Sequence, residues 1–238
     1  MITILFSAPD GKWAEYEAPL RSALDAAGLA YRIGTEFPAE EVDYIIYGPH
    51  SGGLTDFAPF TGLKAVQNLW AGVETVVSNP TLQAPLARMV DEEGLTQGMV
   101  EYVTGHVLRH HLGMDAHIVN PDHRWDAATP PLAADRPVTI LGMGALGTAC
   151  ARALRGIGFP VTGWARSEKR VAGVTSLAGP DGLARALRGA QVLVLLLPLT
   201  RETEGIVNGA SLSLLARGAV VLNPGRGGLI DDEEIGRA

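Results

Sequence analysis

Apolar positions along the 238-residue chain come in short runs separated by stretches of helical spacing. Residues 2–6, Ile-Thr-Ile-Leu-Phe, are short and β-branched and are closed by Ser7-Ala8-Pro9-Asp10-Gly11, which predicts a buried strand. Trp13, Tyr16, Leu20, Leu24 and Ala27 then recur at intervals of three and four, predicting a helix that Gly28 stops. Further strands are predicted at residues 42–47, 63–69 and 86–90. The texture changes near Asp91. A long helix is predicted over residues 95–112, with Met99, Tyr102, Val103, His106 and His110 on one face, followed by a polar, proline-containing stretch over 120–131. A second series of strands follows at 138–141, 160–164, 192–197 and 219–222. Strands separated by helix-length segments predict parallel βαβ units, here in two α/β domains, 1–92 and 93–238.

Composition narrows the picture. With 47% hydrophobic and 19% charged residues the chain can bury a substantial core and is not disordered overall. The formal net charge is −7 and no basic cluster is dense, so a nucleic-acid surface is not expected. Cys150 is the single cysteine, which excludes an intramolecular disulfide and suits a reducing compartment. No apolar run is long enough to span a bilayer, and the start does not read as a secretory signal. The expectation is a cytoplasmic protein without a membrane partner.

The strongest local signal is Gly142-Met143-Gly144-Ala145-Leu146-Gly147, placed after a predicted strand and before a predicted helix. Gly142 permits the tight turn, Gly144 lets backbone approach a pyrophosphate, and Gly147 lets the helix pack on the strand. The opening N–H groups of the helix then face the phosphates. A plain glycine-rich turn is the alternative. In a dinucleotide site an acid about 20 residues further on would hold the ribose 2′-hydroxyl. Here the next strand ends Trp164-Ala165-Arg166-Ser167-Glu168-Lys169-Arg170. Arg166 stands in place of the acid, with Ser167 and Lys169 beside it, which favours NADP(H) over NAD(H). Glu168 is a complication, and a solvated loop over 166–170 is the bland alternative.

These residues resemble the D-isomer-specific 2-hydroxyacid dehydrogenase family, and within it the glyoxylate/hydroxypyruvate reductase branch. The matching segments are Leu69-Trp70-Ala71-Gly72-Val73-Glu74, Arg88-Met89-Val90-Asp91, and Gln97-Gly98-Met99-Val100-Glu101-Tyr102-Val103. They continue with the 142–147 fingerprint and Trp164-Ala165-Arg166, Leu197-Pro198-Leu199-Thr200 and Leu222-Asn223-Pro224-Gly225-Arg226-Gly227. The resemblance implies two Rossmann/flavodoxin-like doubly wound parallel-sheet domains with an interdomain cleft. The first would bind substrate and the second dinucleotide. It implies that Trp70, Ala71, Gly72 and Val73 form the substrate loop, whose backbone N–H groups hold a carboxylate. Leu197, Pro198, Thr200, Pro224 and Gly225 would line the cofactor crevice, and Arg226 would clamp the carboxylate and polarise the adjacent carbonyl. It further implies a homodimer formed partly through the segment over 95–119. The activity implied is reduction of a small 2-oxo acid to the 2-hydroxy acid.

The family's proton donor is a histidine supported by a glutamate, both C-terminal to the arginine. None of the six histidines follows Arg226. Asp231 and Asp232 read as helix caps, with Glu233 and Glu234 in the first turn. His106 and His110 have a spacing that can bind a metal but read as a packed core pair, His111, His117 and His123 as surface or loop residues; no metal is expected. The second domain is therefore expected to be C-terminally incomplete. The alternative is a non-catalytic dinucleotide-binding regulatory or scaffold protein on the same fold. Residues 1–238 alone are expected to be nearly inactive, and single-turnover oxidation of NADPH with glyoxylate checks this: a normal reductase rate refutes it.

Overall fold

A computed structural model describes residues 1–50, 53–125 and 127–236. The chain divides into two compact units, Met1–Val90 and Asp91–Ala238. The first contains β1 (Ile2–Ser7), α1 (Lys12–Ala26), β2 (Tyr31–Gly34), β3 (Tyr44–Tyr47), β4 (Ala65–Asn68), α2 (Glu74–Val77) and β5 (Leu86–Ala87). Its five strands are all parallel, in the order β2-β1-β3-β4-β5. That is the flavodoxin-like order, with its topological switch between β1 and β3. Leu5, Val42, Ile45, Tyr47, Phe57, Val66 and Val76 form its core.

The second unit opens with a π-helical turn over Glu92–Thr96, followed by α3 (Gln97–His111), α4 (Met114–Ile118), β6 (Val138–Leu141) and α5 (Ala145–Ile157). It continues through β7 (Val161–Ala165), β8 (Thr175–Ala178), α6 (Gly179–Leu187), β9 (Val192–Leu195), α7 (Gly209–Leu212), β10 (Val220–Leu222) and α8 (Asp232–Ile235). The strands are parallel in the order β10-β9-β6-β7-β8, the Rossmann order with its switch between β6 and β9. Every residue of β6 and β9 is buried, as central strands covered on both faces require. One face packs α3 and α5 through Val103, Val107, Cys150 and Leu154; the other packs Leu187, Val207 and Leu229.

Two strands escaped the sequence pattern. β2 and β8 are edge strands of four residues, largely half-exposed, so neither carries a long apolar run. The predicted strand over 86–90 shortens to Leu86–Ala87 because only those residues pair with β4. Asp231 does cap α8, its carboxylate accepting from the Glu233 and Glu234 amides, whereas Asp232 is the first helical residue.

The face of α3 also needs correcting. Val103, Val107 and His111 point into the core, not His106 and His110. Tyr102 is half-exposed and stacks on His106 at 4.2 Å between ring centroids. His111, expected at the surface, is 6% exposed and meets Phe159 edge-on at 5.0 Å. Its Nδ1 has no hydrogen-bond partner. Among the described residues no group of three or more His, Cys, Asp or Glu could hold a metal.

Burial, and next the nearby Arg136 charge, push the His111 imidazole below its ordinary value of 6.5. The folded chain thus binds this proton less readily than the unfolded chain. The stability it contributes is present above that value and is lost as pH falls below it. The urea midpoint is expected to drop between pH 7.5 and pH 5.5, and His111→Gln to flatten that slope; an unchanged slope in the variant refutes the assignment.

Candidate active site

In the second unit, four loops leave the carboxyl ends of neighbouring strands. The Gly142 amide donates to Trp164 O at 2.8 Å and the Leu196 amide to Leu141 O at 2.8 Å, which ties the ends of β6, β7 and β9 together. Gly142 has φ +108°, and a Cβ there would lie 2.5 Å from Leu196 O. A Cβ on Gly147 would collide with the Gly142 carbonyl oxygen, so α5 can start this close to β6 only with glycine at both positions. Gly144 differs. It caps α5 in extended conformation, and a Cβ on it would meet nothing within 4 Å. Gly144 and Ala145 are exposed. No acceptor among the described residues takes the N–H of Gly144, Ala145 or Leu146. The helix therefore presents its positive end to open space, an arrangement suited to a phosphate.

At the end of β7, Arg166, Ser167 and Lys169 are exposed. Glu168 is engaged with Arg170 at 3.3 Å, which leaves Arg166 as the cation nearest the strand end. Trp164 itself is core: it is 8% exposed and its indole N–H donates to Gly179 O at 2.8 Å. It can shape the strand end but offers a ligand no donor. Leu197 is buried, while Pro198 and Thr200 are exposed beyond β9. Thr203, absent from the sequence reading, locks that loop: its hydroxyl donates to Pro198 O at 2.7 Å and accepts from the Thr200 amide at 2.8 Å. Glu202 on the same loop lies below the ordinary carboxylate value, held there first by Thr200 and its own backbone amide, with Arg166 and Arg201 adding.

Beyond β10, Arg226 is exposed and donates to Gly225 O at 3.1 Å. Asn223 shapes this loop: Nδ2 donates to Arg226 O at 2.8 Å and Oδ1 accepts from the Gly225 amide at 3.2 Å. An Asn followed by Pro-Gly is a sequence signal for this Asx turn. Gly225 is close-packed, since a Cβ would lie 3.1 Å from both Leu195 O and Leu229 Cδ1. Next to Pro224 is an apolar hollow of about 440 Å³, lined also by Gly94, Leu95, Gly98, Met99 and Tyr102.

In the first unit, the loop after β4 holds Trp70, Ala71, Gly72 and Val73, all partly exposed. The Trp70 ring lies where a Cβ on Gly48 would come within 3.2 Å of Cζ2, so it packs over the end of β3. Tyr47, at the end of β3, is core, with its hydroxyl donating to Leu54 O at 2.6 Å. A separate hollow of about 340 Å³ in this unit is lined by Ser7 to Gly11, Trp13, Thr35, His50 and Gly53.

Residues 105–238 match the family described as D-isomer specific 2-hydroxyacid dehydrogenase, NAD binding domain. The chain is 34% identical to glyoxylate/hydroxypyruvate reductase A of Serratia proteamaculans (strain 568), over 98% of this chain and 75% of that protein. It is similar to a D-isomer specific 2-hydroxyacid dehydrogenase from Xanthobacter autotrophicus Py2, solved with NADPH and MES, at TM-score 0.88 and 33% identity, covering 100% of this chain and 76% of the other. A second solved relative is the NADPH-dependent glyoxylate/hydroxypyruvate reductase from Sinorhizobium meliloti, with NADP and sulfate, at TM-score 0.81 and 32% identity, covering 99% and 76%. Taken with the parallel Rossmann sheet and its glycine turn, these matches place the chain in the D-isomer specific 2-hydroxyacid dehydrogenase family.

Proposed function

We propose that the protein is an NADPH-dependent reductase of small 2-oxo acids, of the glyoxylate or hydroxypyruvate kind, yielding the 2-hydroxy acid. The observation that carries this reading is the α5 N-terminus, open at Gly144, with Arg166 rather than an acid beyond the neighbouring strand. A dinucleotide fits the residues present: Gly144, Ala145 and Leu146 supply amides for the pyrophosphate. Arg166, with Ser167 and Lys169, would take a 2′-phosphate that a carboxylate in the same place would repel. Leu197, Pro198, Thr200, Pro224 and Gly225 would border the bound cofactor. The reduced nicotinamide, when bound, supplies the hydride.

Arg226 takes the substrate carboxylate through its planar pair of donors and draws electron density from the adjacent carbonyl. In the first unit, the N–H groups of Ala71, Gly72 and Val73 are a set of donors suited to a carboxylate. The apolar hollow beside Pro224 suits the uncharged part of a small substrate.

The working form proposed is a homodimer built on the cofactor unit, because Ile118 (71% exposed) and Val119 (73%) leave apolar surface uncovered at the end of α4. No nucleic-acid partner is proposed. No helix among the described residues is long and apolar enough to cross a membrane. Cytoplasmic residence suits Cys150, whose buried thiol is pushed up to about 11 and so kept protonated.

Titration with NADPH and NADH separately tests the cofactor assignment. NADPH is expected to bind more tightly, and Arg166→Asp to abolish or invert that preference; an unchanged preference removes Arg166 from the 2′-phosphate site. The full gene product should oxidise NADPH on addition of glyoxylate or hydroxypyruvate, and failure with both refutes the reaction. The glycine turn separates fold from binding. Gly144→Ala is expected to leave the thermal midpoint near wild type while weakening NADPH about tenfold or more, because the added methyl meets only the ligand. Gly142→Ala is expected to lower the thermal midpoint itself. NADPH affinity in Gly144→Ala equal to wild type would contradict the placement of the phosphates.

A further inference from the structure

We propose that Asn68 is a positioning residue for substrate carboxylate binding, an inference that rests on the reading of residues 71–73 given above. Asn68 ends β4 and is completely buried. Its side-chain Nδ2 donates to Trp70 O at 2.7 Å and to Gly72 O at 2.9 Å. Trp70 O also accepts from the Met89 amide at 3.3 Å, and Val73 O accepts from the Val76 and Val77 amides at 3.0 and 2.9 Å. Three of the loop's carbonyls are thus occupied by donors of the protein. The N–H groups of Ala71, Gly72 and Val73 have no acceptor among the described residues.

A loop whose carbonyls are held by the fold and whose successive amides are left over is a concave set of donors, the arrangement that recognises an anion. Its weak point is the carbonyls. Were Trp70 O and Gly72 O released, the peptide planes could rotate and present oxygen, not N–H, to the carboxylate. One side chain prevents both rotations, its primary amide supplying an N–H group for each carbonyl. Asn68 Oδ1 is buried with no partner among the described residues. Leaving a buried acceptor unpaired is costly, and a residue present only for packing would avoid it.

Asn68→Ala removes both donors, Asn68→Asp replaces them with an acceptor of the same shape, and Asn68→Ser keeps one donor. The probe is oxalate, titrated into NADPH-saturated protein and followed by tryptophan fluorescence, since Trp70 is part of the loop. Oxalate dissociation constants are expected to rise about tenfold in Asn68→Ala, at least as much in Asn68→Asp, and less in Asn68→Ser. The NADPH dissociation constant is expected to stay within about twofold. In the full gene product KM for glyoxylate rises with kcat largely kept, the pattern of lost binding rather than lost chemistry. An oxalate affinity in Asn68→Ala close to wild type overturns the proposal. So does a parallel loss of NADPH affinity, which marks general destabilisation; if Asn68→Ala does not fold, Asn68→Ser decides by the same two constants. A full gene product that binds oxalate but oxidises no NADPH with glyoxylate or hydroxypyruvate would instead refute the proposed reaction, while the oxalate series still decides the role of Asn68.

Discussion

The helix α5 begins where it does because two glycines let three pieces of backbone share a space no side chain can enter. A Cβ on Gly142 would press on Leu196 O, and one on Gly147 would strike the Gly142 carbonyl. With both absent, the end of β6 touches the end of β9 and the helix starts immediately above the sheet. The site in this unit depends on that closeness. It places the helix's unsatisfied amides at the topological switch, where Arg166, Thr200 and Arg226 are delivered by the loops after β7, β9 and β10. The parallel order makes this possible, since every strand then sends its carboxyl end to the same edge.

What the sequence made legible follows from how local each signal is. The glycine turn, the buried strands β6 and β9 and the Asp231 cap are set by residues within a few positions of one another, and all were readable. The edge strands β2 and β8 were not, because a short strand with one neighbour needs no apolar run; pairing, not composition, defines it. The face of α3 was misread for a different reason. Spacings of three and four fit both the 99-102-103-106-110 set and the 103-107-111 set. The choice is made by what lies opposite, and Phe159, which receives His111, lies far along the chain.

The polar groups that shape the loops divide in the same way. Asn223 bonds residues two and three positions ahead, an Asx turn open to sequence reasoning. Thr203 and Asn68 bond carbonyls whose orientation only the folded loop fixes. Arg166 helps lower Glu202 across a gap in sequence that no motif spans. The residues proposed to meet a ligand are chosen by chemical type, whereas those that hold the loops in place emerged only with geometry.

The overall charge sharpens the point. With a formal charge of −7 the protein's long-range field opposes an anionic cofactor and an anionic substrate alike. That field is screened beyond roughly 8 Å at physiological ionic strength, so recognition has to be won at contact distance. The means proposed are of two kinds: guanidinium charges at Arg166 and Arg226, and neutral amides at Gly144 to Leu146 and Ala71 to Val73. Amides carry no net charge, so they attract no counterion when the site is empty and lose little to salt. They bind only if their peptide planes are already turned the right way. Two glycines fix the first set and the second hangs on one buried asparagine, and for neutral donors that preorganisation supplies what charge cannot.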